Sequence, residues 1–100
     1  MNAPIWVCGE VLVDLLPGSD GGERVAVVGG GPANTAKALA RLGHQVEFID
    51  GMSTDHYGKS AQEELRKDGV GLSLSKIIDK PTCQAIVSLD ENGSARYEFL

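Results

Sequence analysis

Apolar residues in this chain gather in short runs divided by glycine-rich or acidic breaks, and their spacing changes from run to run. Ile5-Trp6-Val7-Cys8 is a continuous apolar run, the pattern of a strand covered on both faces. Residues 11–16 continue it past Gly9, and Pro17-Gly18 ends it. After a loop at Ser19-Asp20-Gly21-Gly22, residues 24–28 form a β-branched run leading into Gly29-Gly30-Gly31. The spacing then lengthens to that of a helix. Pro32 stands at a first helical position, Ala33, Ala36, Leu39 and Ala40 share one face, and Gly43 supplies the stop. A mostly alanine face predicts a helix axis lying close to the layer beneath it.

Residues 46–49 read as the next strand, and residues 58–68 as a second helix with Ala61 and Leu65 on its inner face. Asp55 is its expected N-cap, Glu63 and Lys67 lie at pairing distance, and Gly69 follows the last turn. Strand, helix, strand, helix in this order predicts an α/β fold, part of a doubly wound (Rossmann-like) sheet with helices packed on it. Residues 82–89 and 95–100 then form two strand-like runs around Asp90-Glu91-Asn92-Gly93, a hairpin signal. The second run stops at Glu98-Phe99-Leu100 without a turn or cap, so a truncated chain is expected.

Composition narrows the classes. With 100 residues and 42% hydrophobic content, one modest core is expected. The formal charge of -5 comes without a Lys and Arg cluster, which excludes a phosphate-backbone or anionic-membrane surface, so neither nucleic acid nor membrane is an expected partner. Glu10 and Asp14 interrupt the apolar start of the chain and no basic segment precedes it, which argues against a signal peptide or membrane span and for a cytoplasmic location. Cys8 and Cys83 lie far apart with no metal-ligand spacing, so no metal site or disulfide is expected, and both are read as reduced, buried thiols. His44 and His56 have no nucleophile or carboxylate arrangement around them and are read as surface residues.

Three segments carry candidate chemistry. Gly29-Gly30-Gly31-Pro32-Ala33-Asn34 joins a strand to a helix, where bare backbone N–H groups can meet a polar ligand, or where a tight turn simply packs a small-residue helix on a sheet. A dinucleotide site, which would make the protein a nucleotide-binding oxidoreductase, would need glycine at Asn34 and the N–H that Pro32 lacks. Gly58-Lys59-Ser60 imitates the end of a P-loop, but Ser53 replaces the leading glycine, and Asp55, His56 and Tyr57 bring a carboxylate and two rings into the loop. An N-capped helix with a solvated Lys59 is the reading there. Asp14 is an acid inside Leu12-Val13-Asp14-Leu15-Leu16, costly unless a sugar hydroxyl pair or an internal donor hydrogen-bonds to it.

Taken in order, Gly9-Glu10-Val11-Leu12-Val13-Asp14, Gly29 to Ala36 with its Gly-Gly-x-Pro-Ala-Asn turn, Ala40-Arg41-Leu42-Gly43, Asp55-His56-Tyr57-Gly58 and Asp68-Gly69-Val70 resemble the ribokinase-like (PfkB) carbohydrate kinases, and within them the fructokinases most. The resemblance runs from Ile5 to Leu100, with one departure, Ser53, where the family usually has glycine. It implies that residues 1–100 are the N-terminal portion of such a fold, with small antiparallel β-lid strands at about 9–28 and 76–100 and an ATP-binding part beyond.

The resemblance further implies that Asp14 accepts hydrogen bonds from sugar hydroxyls, that Gly29 and Gly30, with Gly31 beside them, let the main chain approach the ring, and that Asn34 uses its amide there. Arg96, Tyr97 and Phe99 stand on the strand that resembles the lid and one or more can face the sugar, with Arg96 and Phe99 as the candidates; a solvated Arg96 and a core Phe99 are the alternative readings. The implied reaction moves the γ-phosphoryl group of ATP, with Mg2+, to a hydroxyl of fructose, or of ribose, 2-keto-3-deoxygluconate or a nucleoside. The catalytic base, expected in a Gly-Ala-Gly-Asp segment, and the nucleotide site are expected beyond Leu100, which leaves this segment inactive alone. Lid strands of the family also suggest a homodimer. If the chain ends at Leu100, a non-catalytic sugar-binding or interaction module is the alternative.

Overall fold

The computed structural model describes residues 3–100; the first two residues of the segment weighed against a leader peptide lie outside them. The elements are β1 (Ile5–Cys8), β2 (Leu12–Leu16), β3 (Val25–Gly29), α1 (Gly31–Arg41), β4 (Val46–Ile49), β5 (Gly51–Ser53), α2 (His56–Lys67), β6 (Lys76–Ile78), β7 (Gln84–Leu89) and β8 (Ala95–Phe99). β1 and β4 pair in parallel from Ile5 opposite Val46 to Cys8 opposite Ile49. A bridge between Glu47 and Gly71 extends that layer, and β5 pairs in parallel with β6. This is the expected α/β layer, with β5 and β6 as strands too short to read from sequence.

The core lies where α1 and α2 meet this layer. Ala33, Ala36, Ala61, Leu65, Val46, Phe48 and Met52 are buried together. Alanine on α1 removes side-chain bulk, so the helix sits directly on β1 and β4. Both helices stop in the same way. The Gly43 amide donates to Ala40 O and His44 to Leu39 O; the Gly69 amide donates to Arg66 O and Val70 to Leu65 O, which satisfies carbonyls the last turns leave free. Lys37 pairs with Glu64 at 3.2 Å and Arg41 with Asp68 at 3.0 Å, tying α1 to α2 along their rims.

A four-stranded sheet in the order β3-β2-β7-β8 stands apart from this layer. Its two hairpins are antiparallel, but β2 and β7 pair in parallel, so the sheet is mixed, not purely antiparallel as expected. The expected segments 9–28 and 76–100 also shrink: residues 76–78 belong to β6, and the sheet takes 12–29 and 84–99. The run from Ile5 to Leu16 is broken in two, because the chain leaves one sheet after Cys8 and enters the other at Leu12. Arg24 staples the junction of the hairpins, its guanidinium donating to Leu15 O at 3.0 Å and Val87 O at 2.6 Å. The second hairpin turns at Asp90, whose carboxylate accepts from the Asn92 and Ser94 amides, both at 2.9 Å.

The burial expectations for β1 and for the two cysteines fail. β1 was expected to be covered on both faces, yet Trp6 is 64% exposed, and Cys8 is exposed as well, because α1 covers only one side of the β1–β4 pair. Cys83 is exposed because it lies in the link before β7, outside either core. Phe48 is the largest fully buried side chain, and Phe48→Ala is expected to cost about 3–5 kcal/mol of stability, read by urea denaturation. A loss under about 1 kcal/mol would mean the core does not centre on α1 and β4.

Candidate functional site

Strand pairing decides which predicted residues share a surface. Asp14 lies opposite Val27 on one side and Ala85 on the other, and Ala85 lies opposite Phe99. Residues directly opposite one another project to the same face of a sheet, so Val27, Asp14, Ala85 and Phe99 form one row across all four strands. Arg96 is an odd number of positions from Phe99 and projects to the other face. The register sets Phe99 on the face of Asp14, two strands away, and Arg96 on the opposite face. Tyr97 shares the Phe99 face, and the two rings stack with centroids 6.1 Å apart.

Asp14 is half-buried within this otherwise apolar row and enters no hydrogen bond or ion pair among the described residues. Its carboxylate lies diagonally across the strand pair over Gly29, where any Cβ would occupy the position of the carboxylate oxygen. Glycine at that position is what lets the acid lie flat against the main chain. Gly30 has a φ of 102°, which turns the chain out of β3 into α1 and is open to glycine at little cost. Its inner side rests on the Glu10 carbonyl and the backbone around Val11 and Leu12, so its missing side chain makes room for the protein's own crossing chain. Gly31 is exposed with open space beside it.

α1 therefore begins immediately beside Asp14, and no side chain caps it. Its first amides have no partner within the helix, which leaves donors next to an acceptor-only carboxylate. Asn34 is exposed on the first full turn; its backbone amide donates to Gly30 O at 2.9 Å and its side chain lines a cavity of about 440 Å³ with Lys37, Ala38 and Arg41. The structure thus brings Asp14, Gly29 and Gly30 together, sets Phe99 on the same face two strands away, and places Asn34 on the first turn of α1, where it lines a groove with Lys37, Ala38 and Arg41 that Asp14 does not share.

The P-loop imitation is closed. α2 starts at His56, so Gly58 and Lys59 are already helical; the Gly58 amide donates to the Asp55 carboxylate at 2.7 Å and the Lys59 amide to Asp55 O at 3.0 Å. No free cradle of N–H groups remains there for a phosphate. Asp55 caps α2 as expected, but sequence reasoning missed its second partner. The Thr82 amide donates to the other carboxylate oxygen at 2.8 Å, and the Thr82 hydroxyl donates to the first. Ser53 fits the turn: it is buried, and its hydroxyl accepts from the Asp55 amide at 3.0 Å. The one sequence signal for Thr82 was a hydroxyl residue beside Pro81 at the mouth of a strand.

Asp50, at the carboxyl end of β4, was also missed. It lines a cavity of about 220 Å³ with Glu10, Lys80 and Thr82. Partial burial pushes its carboxyl up, helped by the nearby Glu10 charge and opposed by the Gly51 and Val11 amides.

A model of the pfkB family carbohydrate kinases matches residues 4–99. The chain is 37% identical to fructokinase of Salmonella typhimurium over all of its own length and 33% of that enzyme. It superposes on fructokinase with bound ATP from Xylella fastidiosa with a TM-score of 0.89 at 31% identity, covering 96% of this chain and 30% of that one. For fructokinase from Vibrio cholerae O395 in its fructose, ADP and calcium ion bound form, the TM-score is 0.81 at 28% identity, covering 95% and 32%. The chain spans about a third of the length of the curated relatives it matches.

Desolvation opposes ionisation of Asp55, but the Thr82 hydroxyl and amide, the Gly58 amide and the Ser53 hydroxyl outweigh it and hold the pKa at about 2. A carboxylate with a depressed pKa stabilises the fold fully above its unfolded value of about 3.9 and loses that contribution as pH falls toward the folded value. Between pH 5 and about 2, the native chain should therefore lose more unfolding free energy than Asp55→Ala does, measured by urea denaturation at each pH. Parallel curves for the two proteins would contradict this.

Proposed function

Because the chain belongs to the pfkB family of carbohydrate kinases, we propose that its four-stranded sheet and the start of α1 hold the acceptor in phosphoryl transfer from ATP to a sugar hydroxyl, with fructose as the acceptor. One observation carries the reading: an acid with no internal partner lies over a glycine main chain, beside an uncapped helix start and in one row with an aromatic ring. A neutral polyol asks for such a mixture. The Asp14 side chain accepts from two neighbouring hydroxyls, the Asn34 amide both donates and accepts, and the Phe99 ring covers the C–H side of the sugar. Fructose is favoured by the fructokinases among the relatives, one of which is described with fructose bound.

The donor half fits elsewhere. Among the described residues no three His, Cys, Asp or Glu side chains gather to hold a metal, and the amides of Gly58 and Lys59 are spent on Asp55. In this reading ATP, Mg2+ and the base that takes the hydroxyl proton are held by other parts of the protein. When bound, the magnesium nucleotide supplies the phosphoryl group and the cation that neutralises its charge. What the present residues do is orient the hydroxyl and exclude water from it, and closure of the sheet over the sugar would serve the second task.

The same reading places the protein in the cytoplasm with the ATP pool; no helix among the described residues is long and apolar enough to cross a membrane. It also makes the sheet a candidate homodimer surface, since Tyr97, Phe99 and Leu89 are exposed on its β7–β8 hairpin.

The test is Asp14→Ala in the protein at its full encoded length, assayed by coupled ADP release at saturating ATP with fructose and then a panel of other sugars. Loss of hydrogen bonds to a charged group corresponds to about 1.5–3 kcal/mol, so kcat/KM for the sugar should fall roughly ten- to hundred-fold. Unchanged sugar kinetics would refute the assignment.

A further inference from the structure

The link between β6 and β7 has one fixed point. Asp79, Lys80, Pro81 and Cys83 are exposed, whereas Thr82 is buried, and both of its donors end on Asp55. Capping α2 requires only one carboxylate oxygen, the one that accepts from Gly58. The other oxygen, and a second bond to the first, are committed to a residue 27 positions away. Bonds to an ionised acceptor are short and strong, so this is a joint between the α/β layer and the sheet rather than a cap alone.

What the joint sets is the strand that carries the acceptor row. Immediately after Thr82, the Cys83 carbonyl accepts from the Val13 amide at 3.0 Å, which starts the parallel pairing of β7 with β2. The next residue, Gln84, exchanges two bonds with Leu100, at 3.0 Å and 2.8 Å, which seats β8. From that register Ala85 falls between Asp14 and Phe99. Ser53 braces the other side of the joint through its bond from the Asp55 amide, at the position where the resemblance led to an expectation of glycine.

We infer that Asp55 and Thr82, braced by Ser53, form a latch that positions Asp14 and Phe99 for the acceptor sugar without touching it. The inference rests on the acceptor-site reading above. Asp55 and Thr82 are positioning residues: they act on the sugar through β7. With the latch weakened, the sheet shifts at the one buried residue of its β6–β7 link, and the row that meets the sugar loses its geometry while the donor side keeps its own.

Two variants keep the fold testable. Thr82→Val removes the hydroxyl bond and keeps the side-chain volume; Asp55→Asn still caps α2 but gives up the charge. In the protein at its full encoded length, both are expected to lower kcat/KM for the sugar roughly ten- to hundred-fold, the effect of misplacing a reacting group from a distance. KM for ATP should stay within about twofold, and Thr82→Ser should restore the sugar kinetics. Native-state hydrogen exchange gives a readout independent of any sugar: the Val13 amide should exchange faster in both variants and recover in Thr82→Ser, while the Leu42 amide at the end of α1 stays unchanged. Unaltered Val13 exchange would overturn the latch itself. Faster exchange with native sugar kinetics would reduce it to a structural tie and overturn the positioning role. If Asp14→Ala is silent while Val13 exchange responds, the latch stands and the acceptor reading is what fails, taking the positioning role with it.

Discussion

Two hairpins far apart in the chain become one sheet only because β2 and β7 pair in parallel. No turn can make that contact; parallel neighbours need a long crossover, and here the crossover is most of the α/β layer. Everything placed on the sheet follows from this pairing. It puts Asp14 at the centre of a row, brings Phe99 onto the same face, and turns Arg96 away. The pairing in turn depends on how β7 leaves the layer, and that exit is held at Thr82 by the carboxylate that begins α2.

The site is built from deletions as much as from functional groups. At Gly29 the absence of a side chain gives the Asp14 carboxylate its place, and α1 begins with neither a capping side chain nor, at Pro32, an N–H of its own. The acid could have been neutralised by an internal donor, which is the ordinary fate of a carboxylate in apolar surroundings. Here the arrangement leaves it half-buried and without a hydrogen-bond partner among the described residues. Asp55 is the contrast within the same chain: three hydrogen bonds from Gly58 and Thr82 satisfy its carboxylate and its pKa falls, so its work is structural.

Local patterns in the sequence were enough for α1, β4, α2 with its Asp55 cap, and the β7–β8 hairpin, because each is set by residues within a turn or two of one another. The glycine bend and Asp14 were legible for the same reason. What stayed hidden depended on partners distant in sequence. The apolar run through Ile5 and Leu16 looks continuous, yet it serves two sheets. β5 and β6 are three residues each and leave no periodicity to read. Alternation along β8 separates Arg96 from Phe99 but cannot say which of them meets Asp14; that needs the register across β7. Cys8 and Cys83 read as buried because their neighbours are apolar, and they are exposed because the strand and link that carry them sit at the margin of the core.

Ser53 shows how one local departure can be absorbed by tertiary structure. A glycine there would leave the Asp55 amide to find another acceptor; the serine hydroxyl accepts it, and the residue is buried without entering the left-handed region of backbone conformation. Its carbonyl also accepts from the Gln62 side chain at 3.2 Å, so the turn is fastened to the second turn of α2 as well as to its first. The bond that the serine hydroxyl adds falls on the main chain of Asp55, the residue whose carboxylate joins the α/β layer to the sheet. A departure from the motif thus adds a bond at the joint between the α/β layer and the four-stranded sheet.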